Sequence, residues 1–222
     1  MDLYIAVIGD IKNSKKLEER NEIQHKLNNV LNRVNREYES SIAAKFMITL
    51  GDEFQGLLYS GKNVVDIIEE IQWDMYPLNI RFGVGFGTIA TDINPEMAIG
   101  ADGPAYHKAR EAIQQLKTNE QKTRIQVSDI RIGIEDDNHS ISMMLNTILT
   151  LMAMIRRNWS ERQREIIFRI EKYKESQTEC AKHLEITQSS VQRGLKNGNY
   201  YAYREAKETV QNIFKEIGEI DV

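Results

Sequence analysis

The spacing of apolar positions changes several times along the first 134 residues. A continuous apolar run over residues 3–9 predicts a buried strand that ends at Asp10. Apolar residues then recur at helical spacing over residues 23–38, and a second helical pattern covers residues 62–75. Between these two helices, Gly51-Asp52 separates two strand-like runs. We interpret this pair as a hairpin turn, because Gly and Asp tolerate the backbone angles of tight turns.

Residues 79–89 predict a further strand with two unlike faces. Ile80, Phe82, Val84 and Phe86 share one face, and three glycines at positions 83, 85 and 87 form the other. A strand face without side chains loses entropy and packing, which favours a close approach by a helix or by a ligand. The helix is the preferred explanation.

The remaining pattern of this part completes an α+β fold class. "ADGPAYHKAREAIQQL" predicts a third helix, and residues 124–129 are interpreted as a closing strand. The order β-α-β-β-α-β-α-β contains a ferredoxin-like, split βαβ unit, in which we expect an antiparallel sheet with helices on one face.

After residue 134 the chain becomes helical throughout. Residues 140–155 are apolar but too few to span a membrane, and Asn146 interrupts them. We predict a connector helix that also joins two copies as a homodimer. The predicted domains are residues 1–134, a connector at 135–158, and an all-α domain at 159–222.

Composition narrows the class of protein. A formal net charge of −4 over 222 residues excludes a global basic field, so any nucleic-acid binding must be local. The single cysteine, Cys180, excludes an internal disulfide framework and fits a reducing compartment. With no signal peptide pattern at the N-terminus, the expected location is the cytoplasm.

Three carboxylates are expected to meet at one end of the predicted sheet. Asp10 ends the first strand, and Asp52 and Glu53 lie at the hairpin, which a split βαβ sheet places beside that strand. Converging carboxylates repel each other unless a cation lies between them, and Mg²⁺ or Mn²⁺ prefers such oxygen ligands. The alternative is that the acids are there because turns favour them.

The residues after Asp10 are candidates for binding phosphate. They offer backbone amides and positive charge at the start of the first helix, which suits the phosphates of a nucleotide. These residues are Ile11, Lys12, Asn13, Ser14 and Lys15.

Several motifs resemble those of nucleotide cyclases. Asp10 and Asp52 match the two metal-binding aspartates of class III cyclase palm domains, and residues 51–54 match the last four letters of the GGDEF motif. Arg110 matches a cyclase arginine that acts on the transition state. "GDIKNS", "LGDEFQ", "RFGVGFG" and "GADGPAYHKAREA", in this order and followed by a helix-turn-helix, resemble the SatD family more closely. That resemblance implies a cyclase-like palm before a DNA-binding tail.

The sequence departs from the cyclase pattern at two positions. Tyr106 stands where cyclases have an asparagine, and Leu50 replaces the first glycine of GGDEF. The metal-binding residues of a cyclase site are therefore expected, whereas the residues that stabilise the transition state are incomplete. We favour nucleotide binding over turnover. The alternatives are a metal-dependent cyclase or nucleotidyl transferase in which Arg110 is catalytic, and a scaffold that binds no ligand.

"SQTECAKHLEITQSSVQRGL" predicts a helix-turn-helix that binds double-stranded DNA. Ala181 allows close helix crossing, Val191 and Leu195 anchor the second helix, and Glu185 replaces the glycine that is usual in the turn. No acid occurs between Thr187 and Tyr203. The predicted DNA-binding residues are Gln188, Ser189, Ser190, Gln192, Arg193 and Lys196. The alternative is a small helical packing module without DNA.

Overall fold

The computed structural model describes residues 2–14, 19–123, 128–135 and 139–219 of the chain. The strands are β1 (Tyr4–Ile11), β2 (Ile42–Leu50), β3 (Glu53–Leu58), β4 (Ile80–Gly87) and β5 (Ile130–Ile134). The helices are α1 (Arg20–Glu37), α2 (Val64–Asp74), α3 (Pro104–Thr123), α4 (His139–Arg157), α5 (Glu161–Lys172), α6 (Gln177–His183), α7 (Gln188–Asn197) and α8 (Tyr200–Glu219).

The five strands form one sheet in the order β2-β3-β1-β4-β5. The first four reproduce the predicted split βαβ unit, so the α+β, ferredoxin-like prediction is confirmed. β5 pairs with β4 in the parallel direction, whereas every other pair is antiparallel. Most of the predicted closing strand at 124–129 lies outside the described residues, which resume at Ser128. Ser128 bonds the backbone of Ile130, where β5 begins.

Helices cover both faces of the sheet, not one face as expected. α1 and α2 pack on the face that carries Phe82 and Phe86, and α3 packs on the glycine face. A Cβ on Gly85 would lie 1.9 Å from the Ala105 carbonyl oxygen, so only glycine lets α3 approach this closely. Helix packing therefore explains the glycine face.

The C-terminal helices return to the face of the sheet that α1 and α2 cover. Phe214 of α8 lies against Phe86 of β4, with ring centroids 5.1 Å apart. Gly61, in a single 3-10 turn before α2, lies so close to α8 that a Cβ would meet the Phe214 carbonyl at 1.9 Å. One hydrophobic cluster thus runs through residues of all three predicted domains, whose boundaries remain predictions.

α4 covers the open edge of β5. The Asn146 side chain accepts a hydrogen bond from the Ile132 amide and donates one to its carbonyl, which satisfies backbone groups at the sheet edge. α4 also carries an exposed apolar stripe made of Met143, Met144, Leu151 and Met154. Within the described ranges, none of the helices is both long and apolar enough to cross a membrane.

Candidate functional site

Asp10 lies at the end of β1 and faces α3. In the strand register it is opposite Glu53 of β3 and Arg81 of β4, so the three side chains share one face. Asp10 is buried. Arg81 Nη1 donates to Asp10 Oδ2 at 2.5 Å, and Lys117 Nζ of α3 lies 3.2 Å from Oδ1. Two cations therefore neutralise this carboxylate.

Arg81 also connects Asp10 to further ion pairs that reach the loop after β1. It donates to Glu120 of α3 at 2.7 Å, and Glu120 also pairs with Lys12 at 2.6 Å. Burial alone would lower the pKa of Arg81, but Glu120 and Asp10 raise it overall. Burial would raise the pKa of Glu120, yet Arg81 and Lys12 lower it overall. These groups stay charged and hold β1, β4 and α3 together.

Asp129 joins this pattern to the end of α4. Its carboxylate accepts from Lys12 at 2.9 Å, from Arg157 at 2.8 Å and from Arg156 at 3.1 Å. Burial would raise the pKa of Asp129, but Arg156, Lys12 and Arg157 lower it overall. We name the connected residues the ion-pair chain: Asp10, Lys117, Arg81, Glu120, Lys12, Asp129, Arg156 and Arg157. It runs from the palm to the last turn of α4.

The predicted metal ligands come close in the backbone but do not form a metal site. Glu53 is the cross-strand neighbour of Asp10, and the Asp52 carbonyl accepts from the Ile11 amide at 3.3 Å. Across the described residues, no group of three His, Cys, Asp or Glu could hold a metal ion. Arg81 and Lys117 already remove the repulsion that a cation was expected to relieve. In this arrangement the residues do not fit Mg²⁺ or Mn²⁺.

The predicted phosphate-binding loop is largely engaged with the protein itself. The amide of Ile11 donates to Asp52, and the amide of Lys12 donates to the Asn79 carbonyl at 2.8 Å. Asn13 has a φ of 58°, and Ser14 is buried. Lys15 lies outside the described residues. The loop therefore presents fewer free amides than we expected, and its lysine at position 12 is paired.

Arg110 is not brought to Asp10. It is exposed on α3, 3.6 Å from Asp102, with its guanidinium 5.9 Å from the Tyr106 ring centroid. Lys117, which does reach Asp10, is two helical turns further on, about 10 Å along the axis. Tyr106 is fully buried, as expected of a core residue. The geometry therefore lends no support to a catalytic Arg110.

Sequence patterns assigned no role to Arg81, Glu120, Asp129 or Arg156. Arg81 sits in a motif that was recognised for its glycines, and its partner on α3 is 39 positions away. Strand register was the signal that could have found it, because register sets Arg81 opposite Asp10 on one face.

α6 and α7 form the predicted pair of helices around a short turn. Ala181 is buried between them, and Val191 and Leu195 anchor α7 in the core. Thr187 caps α7 by accepting from the Ser190 amide. Glu185 has a φ of 53°, the left-handed conformation that the missing glycine would have adopted without strain.

α7 presents a polar, cationic surface. Five of the six predicted DNA-binding residues are exposed: Gln188, Ser189, Gln192, Arg193 and Lys196. Ser190 is half-buried, and its hydroxyl lies within hydrogen-bond distance of Thr187 and Arg193, so it supports the helix start.

Three solved structures illustrate what the fold is similar to. A bacterial light-regulated adenylyl cyclase is 16% identical with a TM-score of 0.37, over 59% of this chain and 75% of that chain. The guanylate cyclase domain of RhGC from Catenaria anguillulae, in complex with GTP, is 16% identical with a TM-score of 0.32, over 50% of this chain and 71% of that chain. A regulator of polyketide synthase expression from Bifidobacterium adolescentis is 13% identical with a TM-score of 0.29, over 99% of this chain and 86% of that chain.

The family comparison is more extensive. The sequence matches no curated protein. A profile of the SatD family matches residues 4–214, which include the sheet, the ion-pair chain and the α6–α7 pair. The chain belongs to the SatD family.

Proposed function

We propose that the protein is a DNA-binding regulator in which α7 contacts double-stranded DNA. The observation that carries this proposal is the surface of α7. Its outward residues are polar or cationic, and no acid lies between Thr187 and Tyr203. A helix of this kind can reach base edges with amide and guanidinium groups, while its cations contact phosphates.

The overall charge of −4 limits how strong this binding can be. Affinity has to come from a small basic surface, so a single copy is expected to bind weakly. Paired copies would read two half-sites, and the exposed apolar stripe of α4 is the surface that we propose for pairing. A protein that light scattering finds to be monomeric at micromolar concentration would contradict the dimer.

The test is fluorescence anisotropy with a labelled duplex at several salt concentrations. Arg193→Ala and Lys196→Ala each remove one phosphate-contacting charge, so each should weaken binding and lower the salt slope by about 1. Lys26→Ala removes the same charge from an exposed position on α1 and should change neither quantity. Equal losses in all three variants would refute a specific role for α7.

Nucleotide binding by the palm is the second part of the proposal. Lys12, Arg81 and Lys117 could bind phosphate only after leaving the carboxylates of the ion-pair chain. Such an exchange would release Lys12 from Asp129, the carboxylate that also binds Arg156 and Arg157 at the end of α4. Because the residues do not fit a divalent metal, we derive no step through one, and we do not propose turnover.

Coupling between the two parts is measurable in both directions. If a nucleotide changes the affinity for DNA by some factor, DNA must change the affinity for that nucleotide by the same factor and in the same direction. Titration of the DNA complex with common nucleoside triphosphates would measure this. If no nucleotide changes DNA affinity, the sensing role fails, although DNA binding could still hold.

A further inference from the structure

Two adjoining cavities lie where α2 of the palm meets α4 and α5. The larger has a volume of about 310 Å³ and is lined by Trp73, Tyr76, Phe168, Arg164, Glu161 and Glu165. The smaller has a volume of about 70 Å³ and shares Trp73, Tyr76 and Arg164 with the first. The larger alone reaches the lower end of the range for small-molecule pockets, about 300–1,000 Å³. None of the residues predicted from the sequence to bind a ligand lines either cavity.

The smaller cavity is cationic. Arg156, Arg157 and Arg164 line it, and among the described residues of its lining only Asp129 is acidic. That carboxylate is already bound by Arg156, Arg157 and Lys12. It therefore has no remaining charge to offer Arg164.

Arg164 is a partly buried cation without a carboxylate partner in the described ranges of the chain. Its guanidinium lies 4.8 Å from the Tyr76 ring centroid and donates to the Arg156 carbonyl at 3.2 Å. Burial lowers the pKa of Arg164, Tyr76 offsets part of this effect, the charge of Arg156 adds to it, and the overall shift is downward. An anion beside these two arginines would relieve both effects.

Gln72 adds an unused donor to the same cavity. Its Oε1 accepts from Arg156, whereas its buried Nε2 finds no acceptor among the described residues. A buried amide donor without an acceptor is unfavourable, and an oxygen of a bound anion would satisfy it. The Gln72 amide and the arginines would therefore all be satisfied by an anion with oxygen acceptors.

The larger cavity is aromatic. Trp73 and Phe168 lie with ring centroids 5.4 Å apart, and Tyr76 is half exposed at the opening. Aromatic walls of this kind stack on planar rings. The two acids at the rim differ, because Glu165 is paired with Arg162 at 2.8 Å while Glu161 is exposed and can accept from N–H groups. A ring with N–H donors therefore fits better than a plain hydrocarbon ring.

We propose that the two cavities form one binding site for a nucleoside monophosphate. The base lies in the larger cavity against the aromatic side chains of Trp73, Tyr76 and Phe168, and the phosphate lies between Arg156, Arg164 and the Gln72 amide. The site is separate from the Asp10 end of the palm and does not depend on DNA binding. Since its walls come from both the palm and the C-terminal helices, a bound nucleotide would fix the two relative to each other. An effect on DNA affinity would follow only if the proposed function holds.

The chain contains its own reporter for this site. It has two tryptophans, Trp73 and Trp159, stacked with centroids 6.1 Å apart. The experiment titrates the full chain, in the presence of EDTA, with AMP, GMP, CMP and UMP and follows tryptophan fluorescence. Adenosine and inorganic phosphate are titrated separately as control ligands, because each carries only one part of the monophosphate. We expect saturable quenching by at least one monophosphate. Its affinity should be at least about tenfold higher than that of adenosine or of inorganic phosphate, because stacking and charge act together.

Variants decide where the nucleotide binds. Arg164→Gln should weaken the monophosphate at least about tenfold, whereas Arg36→Gln, on the exposed surface of α1, should leave it unchanged. Tyr76→Leu keeps the arginines and should reduce the preference for the monophosphate over inorganic phosphate. Circular dichroism verifies that each variant is folded. Lys117→Gln alters only the palm end of the ion-pair chain and should bind like the wild type.

Three results would overturn the proposal. The first is no saturable quenching by any of the four monophosphates. The second is an unchanged affinity in Arg164→Gln. The third is loss of affinity in Lys117→Gln with retention in Arg164→Gln, which would place the nucleotide in the palm. A failure of DNA binding by α7 would leave all of these measurements intact, so the two proposals can fail separately.

Discussion

Replacement of Lys207 by methionine tests how the C-terminal helices are held on the palm. Lys207 lies on α8 and is 7% exposed, and its Nζ is 2.6 Å from Glu69 of α2 and 3.3 Å from Glu171 of α5. Burial would lower the pKa of Lys207, but Glu69 and Glu171 raise it overall. The ammonium is therefore charged in the folded protein and connects three helices.

The expected cost follows from what remains after the substitution. Methionine fills much of the space, but the buried carboxylate of Glu69 loses its cation and is left with the neutral Tyr203 hydroxyl at 2.6 Å. Removing one partner of a buried ion pair costs about 3–5 kcal/mol. For a chain of this length, that corresponds to a melting temperature lower by about 6–20 °C. Asp66, the third acid, is one-third exposed and should contribute little.

The assay is urea unfolding followed by tryptophan fluorescence, since Trp159 packs against Tyr203 with centroids 5.0 Å apart. Arg204→Met removes an exposed cation from the same helix and should change the free energy of unfolding by less than about 1 kcal/mol. Adding Glu69→Gln to Lys207→Met should recover about 0.5–3 kcal/mol, because the amide needs no cation. A loss within about 1 kcal/mol for Lys207→Met, or no recovery in the double variant, would refute the reasoning.

Three further predictions concern packing, strain and pH. Gly85→Ala should destabilise by about 3 kcal/mol or more in urea unfolding, because the new carbon meets backbone, whereas Gly133→Ala, with its nearest atom at 3.2 Å, should cost less. Glu185→Gly should stabilise by about 0.5–1 kcal/mol by relieving the positive φ, and an unchanged or lower melting temperature would contradict this. The pKa of Asp129 is lowered by folding, so its contribution is present above the unfolded pKa of about 3.9 and is lost as pH falls through the lower folded pKa. Unfolding measured from pH ~5 downward should therefore show a weaker pH dependence in Asp129→Asn than in the wild type, and identical curves would argue against it.

Periodicity predicted the elements that lie next to one another in the chain. The strand face with Phe82, the hairpin at Gly51 and the buried anchors of α7 all follow from local spacing and turn chemistry. The left-handed residue at Glu185 was also predictable, since a turn that usually carries glycine keeps its φ when glycine is replaced. The position of β5 does not follow from spacing, because the sequence alternates over both 124–129 and 130–134, and only pairing with β4 identifies Ile130–Ile134 as a strand.

The site was predicted only in part. The sequence placed Asp10 next to the hairpin, and strand register confirms that Glu53 is its neighbour. It missed that Arg81 and Lys117 neutralise Asp10, since these cations come from β4 and from α3, which are far from Asp10 in the chain. An acid at a strand end predicts a cation nearby, but not whether that cation is a metal or a side chain.

The sequence by itself determined the order of strands and helices, the ferredoxin-like unit and the polar surface of α7, because these depend on local periods and turn residues. Only the tertiary structure decided which charges pair, that α8 returns to the sheet, and that an arginine-lined cavity opens between α2 and α5. The reason is physical. Ion pairs and cavities are set by distances of a few ångströms between elements far apart in the chain, and hydrophobic spacing carries no information about those distances.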